Sequence, residues 1–310
     1  MYKTLIIFLV FILTAVVNLG KAEDIYGSPK VVILSKSSLA PYAEALEGFE
    51  SVCKADLRKY YIDVYGDRRS QLIQEVRGEN PQLILVIGPD ALNLIKNKIE
   101  DIPIVFAMVL NPANLLNGEY ENVTGVSMNI PAELQLKTLL RFFPNIKKAG
   151  VVYDPSKTGF AMEEGELAAY RLGIKLVSEK VNSRKDVFEA WEKLFRDKIE
   201  TLWVLPDTTV TTETSFKYLL LFSFRQKIPL IGISRKQVKD GALFAFSFDV
   251  FDLGKQAGAM ANLLLAGRRI NTITYEFPRR YKLVVNETTA QLLGLELPNN
   301  FRKEIDVLEK

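Results

Sequence analysis

One plan of alternating segments occurs twice along this chain, and that repeat limits the folds open to it more than any single residue does. "KVVILSKSS" (Lys30 to Ser38) is a β-branched apolar run that ends in hydroxyls and is followed by the helical pattern "PYAEALEGFESVCKA". "AGVVYDPSKTG" (Ala149 to Gly159) repeats the plan about 120 positions later, before "AMEEGELAAYRLG", where Gly173 is a helix stop. An extended run comes next in each half, "IDVYG" in the first and "IKLVSEKV" in the second. Then "LILVIGPDAL" (Leu83 to Leu92) and "TLWVLPDTTV" (Thr201 to Val210) correspond, each leading through a helix to "DIPIVFAMV" or "KIPLIGISR".

The strands are continuous apolar runs rather than alternating ones, which is the signature of parallel sheets covered by helices on both faces. The expected fold class is therefore α/β, with two Rossmann-like, doubly wound parallel-sheet lobes. In such sheets every strand's carboxyl end points to one edge, and ligands bind in the crevice outside it. Polar residues just past the strands must gather there. These are Ser35, Ser37 and Ser38; Pro89 and Asp90; Asn111; Asp154, Ser156 and Thr158; and Asp207 and Thr208 with Thr209. Each alone also suits a helix cap or a turn.

The crossings between lobes can be placed as well. "NVTGVSMNIPAELQLKTLLRFFPN" leaves the first lobe after Val126, with Pro131 at the start of a helix. "ALFAFSFDVFDLGKQAGAMANLLLAGRR" returns through Asp249, and its helix from about Phe251 to Ala266 should pack Gly254, Ala257, Gly258 and Ala259 against the first lobe. "YKLVVNETTAQLLGLELP" closes on the second lobe. The expected division is residues 23–127 plus 250–271 for the first lobe and 128–249 plus 272–310 for the second. Multiple short connections make a hinge that closes a cleft on a small ligand.

Composition excludes much chemistry. There is no histidine, so imidazole general bases, Ser-His-Asp triads and His-containing zinc sites are ruled out. Cys53 is the only cysteine and reads as a small buried hydrophobe. No G-x-G-x-x-G follows the first strand, and neither G-x-x-x-x-G-K-[ST], G-x-S-x-G nor a dense acidic cluster occurs, so no cofactor or metal is expected. Asn122-Val123-Thr124 and Asn286-Glu287-Thr288 read as turn chemistry, and "MEEGE" at Met162 to Glu166 as a solvated helix start.

Residues 1–22 have the form of a cleaved export signal: a short basic start, the apolar run Thr4 to Val17, and small residues at Gly20 and Ala22. The formal charge of +3 includes Lys3 and Lys21, and their removal leaves the mature chain at +1. Basic clusters such as "PRRYK" are local, so no nucleic-acid partner is expected.

From about Lys30 to Pro298 the sequence resembles the substrate-binding proteins of ABC transporters, in the branch with the type I periplasmic binding protein fold that includes tryptophan- and tyrosine-binding members. The stretches that carry the resemblance include "DIPIVFAMVLNPANLL", "ENVTGVSMNIPAELQLKTLLRFFPNIKKAGVVYDPS", "VLPDTTV" and "VKDGALFAFSFDVFDLGKQAGAMANLLLAGRR". The resemblance implies a monomeric, exported, non-enzymatic receptor that captures a small molecule, an amino acid or related compound, and delivers it to a membrane permease. Asp207, standing where the family pattern carries Pro-Thr-Asp or a similar run, would pair with a ligand ammonium. A ligand carboxylate would meet Ser37, Ser38 or Thr158 with helix amino-terminal N–H groups, and Phe160, Tyr42 and Phe251 would offer stacking surfaces. "YDPSKTGF" departs from the Asn, Ser and Glu loop of amino-acid-binding relatives, and "GPDA" from their Thr- or Ala-rich turn. Presentation of the ligand to a membrane signalling receptor is the alternative role. An enzyme using Asp154 or Asp207 as acid or base is the different-class reading, and it lacks a nucleophile or cofactor motif.

Overall fold

The computed structural model describes residues 28–37, 39–116, 120–270, 275–295 and 305–308. The export signal, Ser38 and the lobe boundary at 271/272 lie outside the described residues.

In the first half, β1 (Lys30–Ser35) leads to α1 (Ala40–Glu50), and β2 (Asp56–Tyr61) runs into the single turn α2 (Ile62–Tyr65). Then come α3 (Arg69–Gly78), β3 (Leu83–Ile87), α4 (Pro89–Ile95), β4 (Ile104–Val109), α5 (Pro112–Leu115) and β5 (Val123–Ser127). The second half runs α6 (Ala132–Phe142), β6 (Lys148–Tyr153), α7 (Pro155–Arg171), β7 (Lys175–Lys180), α8 (Val187–Arg196), β8 (Thr201–Trp203), α9 (Glu213–Gln226), β9 (Leu230–Ile231), α10 (Arg235–Asp240) and β10 (Phe244–Phe248). It ends with α11 (Val250–Leu265), β11 (Tyr281–Asn286), α12 (Glu287–Leu292) and β12 (Ile305–Leu308).

These strands form two sheets. The first is parallel throughout, in the order β2-β1-β3-β4-β5. The second has the order β12-β11-β10-β9-β8-β6-β7, and within it only the β10/β11 pair is antiparallel. Both faces of the central strands are buried, which is why their sequences do not alternate. In β1, Val31 and Ile33 pack into the layer containing Phe49 of α1 and Leu253 of α11, while Val32 and Leu34 pack with Leu72 of α3 and Leu92 of α4. The second sheet repeats the arrangement: Val151, Trp203 and Phe244 meet the α6/α7 layer, and Val152, Leu202 and Ala245 meet α8 and α9.

"IDVYG", expected to be extended, forms α2 instead, and the strand lies immediately upstream as "DLRKYY". β2 is the edge of its sheet and only partly covered, so it carries charged residues instead of an apolar run. Gly173 does stop α7, with φ of +69°, a value that strains any residue with a Cβ.

α11 returns to the first lobe and crosses α1 at backbone contact. A Cβ on Gly254 would stand 1.8 Å from the Ala45 carbonyl oxygen, and one on Gly48 would stand 2.0 Å from that of Phe251. Ala257 and Gly258 share this buried face, but Ala259, expected there too, is exposed. Glu276 bridges to Val126 beyond the β5 edge, donating its N–H to Gly125 and accepting from that of Ser127. Tyr275 packs its ring 6.3 Å from that of Phe106. The return to the second lobe therefore falls at Pro278 to Arg280, with Arg279 held bidentate by Asp252 of α11 at 2.9 and 3.0 Å.

Among the described residues three strands of chain thus cross between the lobes, and Asp249 N–H donates to Arg280 O at 3.2 Å to tie two of them together. Gly254→Ala is expected to destabilise the protein by about 2–3 kcal/mol, because two backbones must separate to admit the methyl group. Urea unfolding checks this, and an unchanged midpoint would contradict the close crossing.

Candidate ligand-binding site

Parallel strands of both sheets deliver their carboxyl-terminal loops to the gap between the lobes, and the β4 loop meets the β6 and β8 loops there. Asn111, at φ 48° and ψ 55°, is left-handed, a conformation that Asn tolerates better than most residues. Its N–H donates to Asn129 Oδ1 in the first crossing at 2.9 Å. Its Nδ2 reaches across the gap to the carbonyls of Lys157 at 3.3 Å and Pro206 at 3.4 Å. Asn114 of α5 makes a similar bond, Nδ2 to Ser156 O at 3.0 Å. The side-chain oxygens of both asparagines are buried without a hydrogen-bond partner.

On the second lobe Asp207 organises the loops instead of facing an open cavity. One carboxylate oxygen accepts from the Asp154 N–H at 2.8 Å and the Thr158 hydroxyl at 2.7 Å. The other accepts from the N–H groups of Thr209 at 2.9 Å and Val210 at 3.1 Å. With four donors and 2% exposure, Asp207 welds the β6 loop to the β8 loop. That use of both oxygens is the physical reason it does not present a free carboxylate for an ammonium. Thr158, fully buried, is equally committed, and its departure from helical geometry (φ −133°) kinks the start of α7.

Asp154 caps α7, taking the N–H and hydroxyl of Ser156 at 2.9 and 2.7 Å and the Thr209 hydroxyl at 2.7 Å. Burial opposes its ionisation, but these hydrogen bonds outweigh it and hold the carboxyl below the usual carboxylate range. Ser156 and Thr208 are exposed.

The other expected residues occupy different places. Ser35 is buried, its hydroxyl donating to Lys36 O at 3.1 Å. Ser37 donates its N–H and hydroxyl to Asp63, and Asp90, next to Pro89 at the start of α4, pairs with Lys36. These partners all belong to the first lobe. Asp249 is exposed and caps α11 by accepting the Asp252 N–H at 2.9 Å. Phe160 and Phe251 are 49% and 38% exposed, while Tyr42 packs over Gly88.

A cavity opens beside the Asn111 contact, built from both lobes and the first crossing. Leu110 and Asn111 come from the β4 loop, Met128, Asn129 and Ile130 from the crossing, and Trp203, Leu205 and Phe246 from the second sheet. Gln135 of α6 and Ala161 and Glu164 of α7 complete its walls. Trp203 is held there by its indole N–H to Gln135 Oε1 at 3.0 Å, and it fits under α7 because Gly165 has no side chain: a Cβ would lie 2.6 Å from the indole. Gln135 is fixed in turn by Nε2 to Ile130 O at 2.9 Å.

Of the loop-end residues Asn111 lines the cavity, whereas Trp203, Gln135, Asn129 and Glu164 line it without belonging to that set. A usable signal existed for Glu164 alone, since it stands three residues after Ala161 and beside Gly165, on a face of α7 kept free of bulk. Among the described residues no group of histidine, cysteine, aspartate or glutamate is arranged to hold a metal. Asp207→Asn is expected to cost about 1–3 kcal/mol of stability without any ligand, since an amide cannot accept from four donors. Denaturant unfolding checks this, and a native midpoint would show that the network is dispensable.

The ABC transporter substrate binding protein family model matches residues 54–307. A tyrosine-binding protein of Clostridioides difficile is 25% identical over 225 residues, covering 70% of this chain and 64% of the relative, so the match spans somewhat less than two thirds of that protein. Among solved structures, an ABC domain in complex with L-Trp from Streptococcus pneumoniae is similar with a TM-score of 0.62 at 20% identity, covering 91% of this chain and 100% of that one. The ligand-free, open structure of a substrate-binding protein with adhesive properties from Clostridium difficile gives 0.70 at 22% identity, covering 91% and 99%. At these identities the solved structures bear on the fold, and they share the two-lobed type I periplasmic binding protein architecture. With four fifths of its length matched and that architecture in place, the chain belongs to the ABC transporter substrate-binding protein family.

Proposed function

We propose that this protein is an exported receptor that captures an amino acid or related compound between its lobes and hands it to an ABC permease. The observation that carries the reading is the cavity walled by both lobes and the first crossing, since a solute there contacts both moving parts at once. A ligand that bridges the lobes favours the closed arrangement by its differential contacts, and the closed surface is what a membrane partner can distinguish. The curated relative named as tyrosine-binding supports the amino-acid class. The aromatic walls supplied by Trp203 and Phe246 suit an apolar side chain. Asn111 is the residue from the loop-end set that lines this cavity.

Melting curves over amino acids, amines, sugars and nucleosides test the ligand class. An amino acid or amine should raise the melting temperature by a few degrees at saturation, because a ligand present at about 100 times its Kd adds about 2.7 kcal/mol. No response to any of these compounds would remove the class, and a response to sugars alone would redirect it. Export is tested separately: the secreted chain should begin at Glu23, and amino-terminal sequencing that returns Met1 would refute cleavage after Ala22.

A further inference from the structure

The polar groups around the cavity are unequal. Gln135 uses both ends of its amide, and Asn111 uses its Nδ2. Asn129 gives its oxygen to the Asn111 N–H. The unspent acceptors are Asn111 Oδ1, buried without a partner, and the carboxylate of Glu164, beside which the Nδ2 of Asn129 is a neutral donor. Glu164 is also the one ionisable side chain among the described residues lining the cavity, and no lysine or arginine lines it. The nearby carboxylates of Asp154 and Asp207 are consumed within the second lobe.

Two acceptors with one negative charge call for a cationic donor. The rest of the wall, Met128, Trp203 and Phe246, calls for an apolar body. A carboxylate on the same ligand would find no opposite charge in the lining and would stand in the repulsive field of Glu164. From this we infer that the cavity recognises a protonated primary amine on an apolar body, with Glu164 and Asn111 receiving the ammonium, and that a ligand carboxylate is not required. This deepens the proposed function, on which it rests, by exchanging Asp207 for Glu164 and the zwitterion for its amine end. Glu164 bears the mark of such a place, since partial burial pushes its carboxyl above the usual carboxylate range and a bound cation would relieve that cost.

Calorimetry on the mature protein compares phenethylamine with L-phenylalanine and tyramine with L-tyrosine. Each amine should bind at least as tightly as its parent amino acid. Glu164→Gln should weaken the amines at least tenfold, about 1.4 kcal/mol, without lowering the ligand-free melting temperature, because the side chain caps nothing and a neutral amide escapes the carboxylate's desolvation. Amino acids bound tenfold or more tighter than their amines would overturn the inference and leave the receptor reading intact. So would native affinity in Glu164→Gln. If none of the four compounds bound, the inference would fall, and the wider ligand screen would decide the receptor reading on its own.

Discussion

Parallel strand pairing is the constraint from which the rest of this molecule follows. A parallel neighbour cannot be reached by a tight turn, so the chain must cross a sheet face after every strand, and helices must cover both faces. Burial of both faces in turn fixes apolar strands, as in Val31 to Leu34 and Leu83 to Ile87. Polar residues are left the loop ends, which parallel geometry sends to a common edge. Duplicating the unit and linking the copies by three crossings turns two such edges toward one gap.

That gap is furnished by a trade between order and availability. Asp207 could have been a ligand contact by position, yet two loops with unpaired backbone N–H groups lie within its reach. A buried carboxylate with four donors stabilises both. The result is a rigid floor on the second lobe. What the loops leave without a partner is Asn111 Oδ1, whose amide nitrogen crosses to the other lobe, and Glu164 lies nearly three turns down the helix that Asp154 caps.

The sequence made the architecture legible because hydrophobic pattern and strand–helix alternation are local properties that the fold preserves. It failed where neighbours decide. β2 is polar because it lies at a sheet edge, so the hydrophobic pattern points to the segment after it, Ile62 to Tyr65, which is a helical turn. Ala259 belongs by composition to the small-residue face of α11, but the helix turns it outward. Tyr275 to Phe277 joins the first sheet through two backbone hydrogen bonds that no side chain announces. The loop-end rule found Asn111, Asp154 and Asp207, but which acceptors remain free depends on partners up to 95 positions away, as with Asn111 and Pro206.

The lobes meet at Asn111 and Asn114 through three hydrogen bonds to backbone carbonyls, at 3.0 to 3.4 Å. Neutral bonds of this kind contribute about 0.5–1.5 kcal/mol each. Against them stand two buried amide oxygens without partners, each costing about 1–3 kcal/mol. The two sets nearly cancel, so this contact neither locks the gap shut nor holds it open. A receptor needs that balance, because a ligand can shift an equilibrium only by its differential affinity for the two states, and a small gap lets modest contacts move most of the population. A ligand N–H that reached Asn111 Oδ1 would satisfy one of these two buried acceptors and so remove one of the opposing costs.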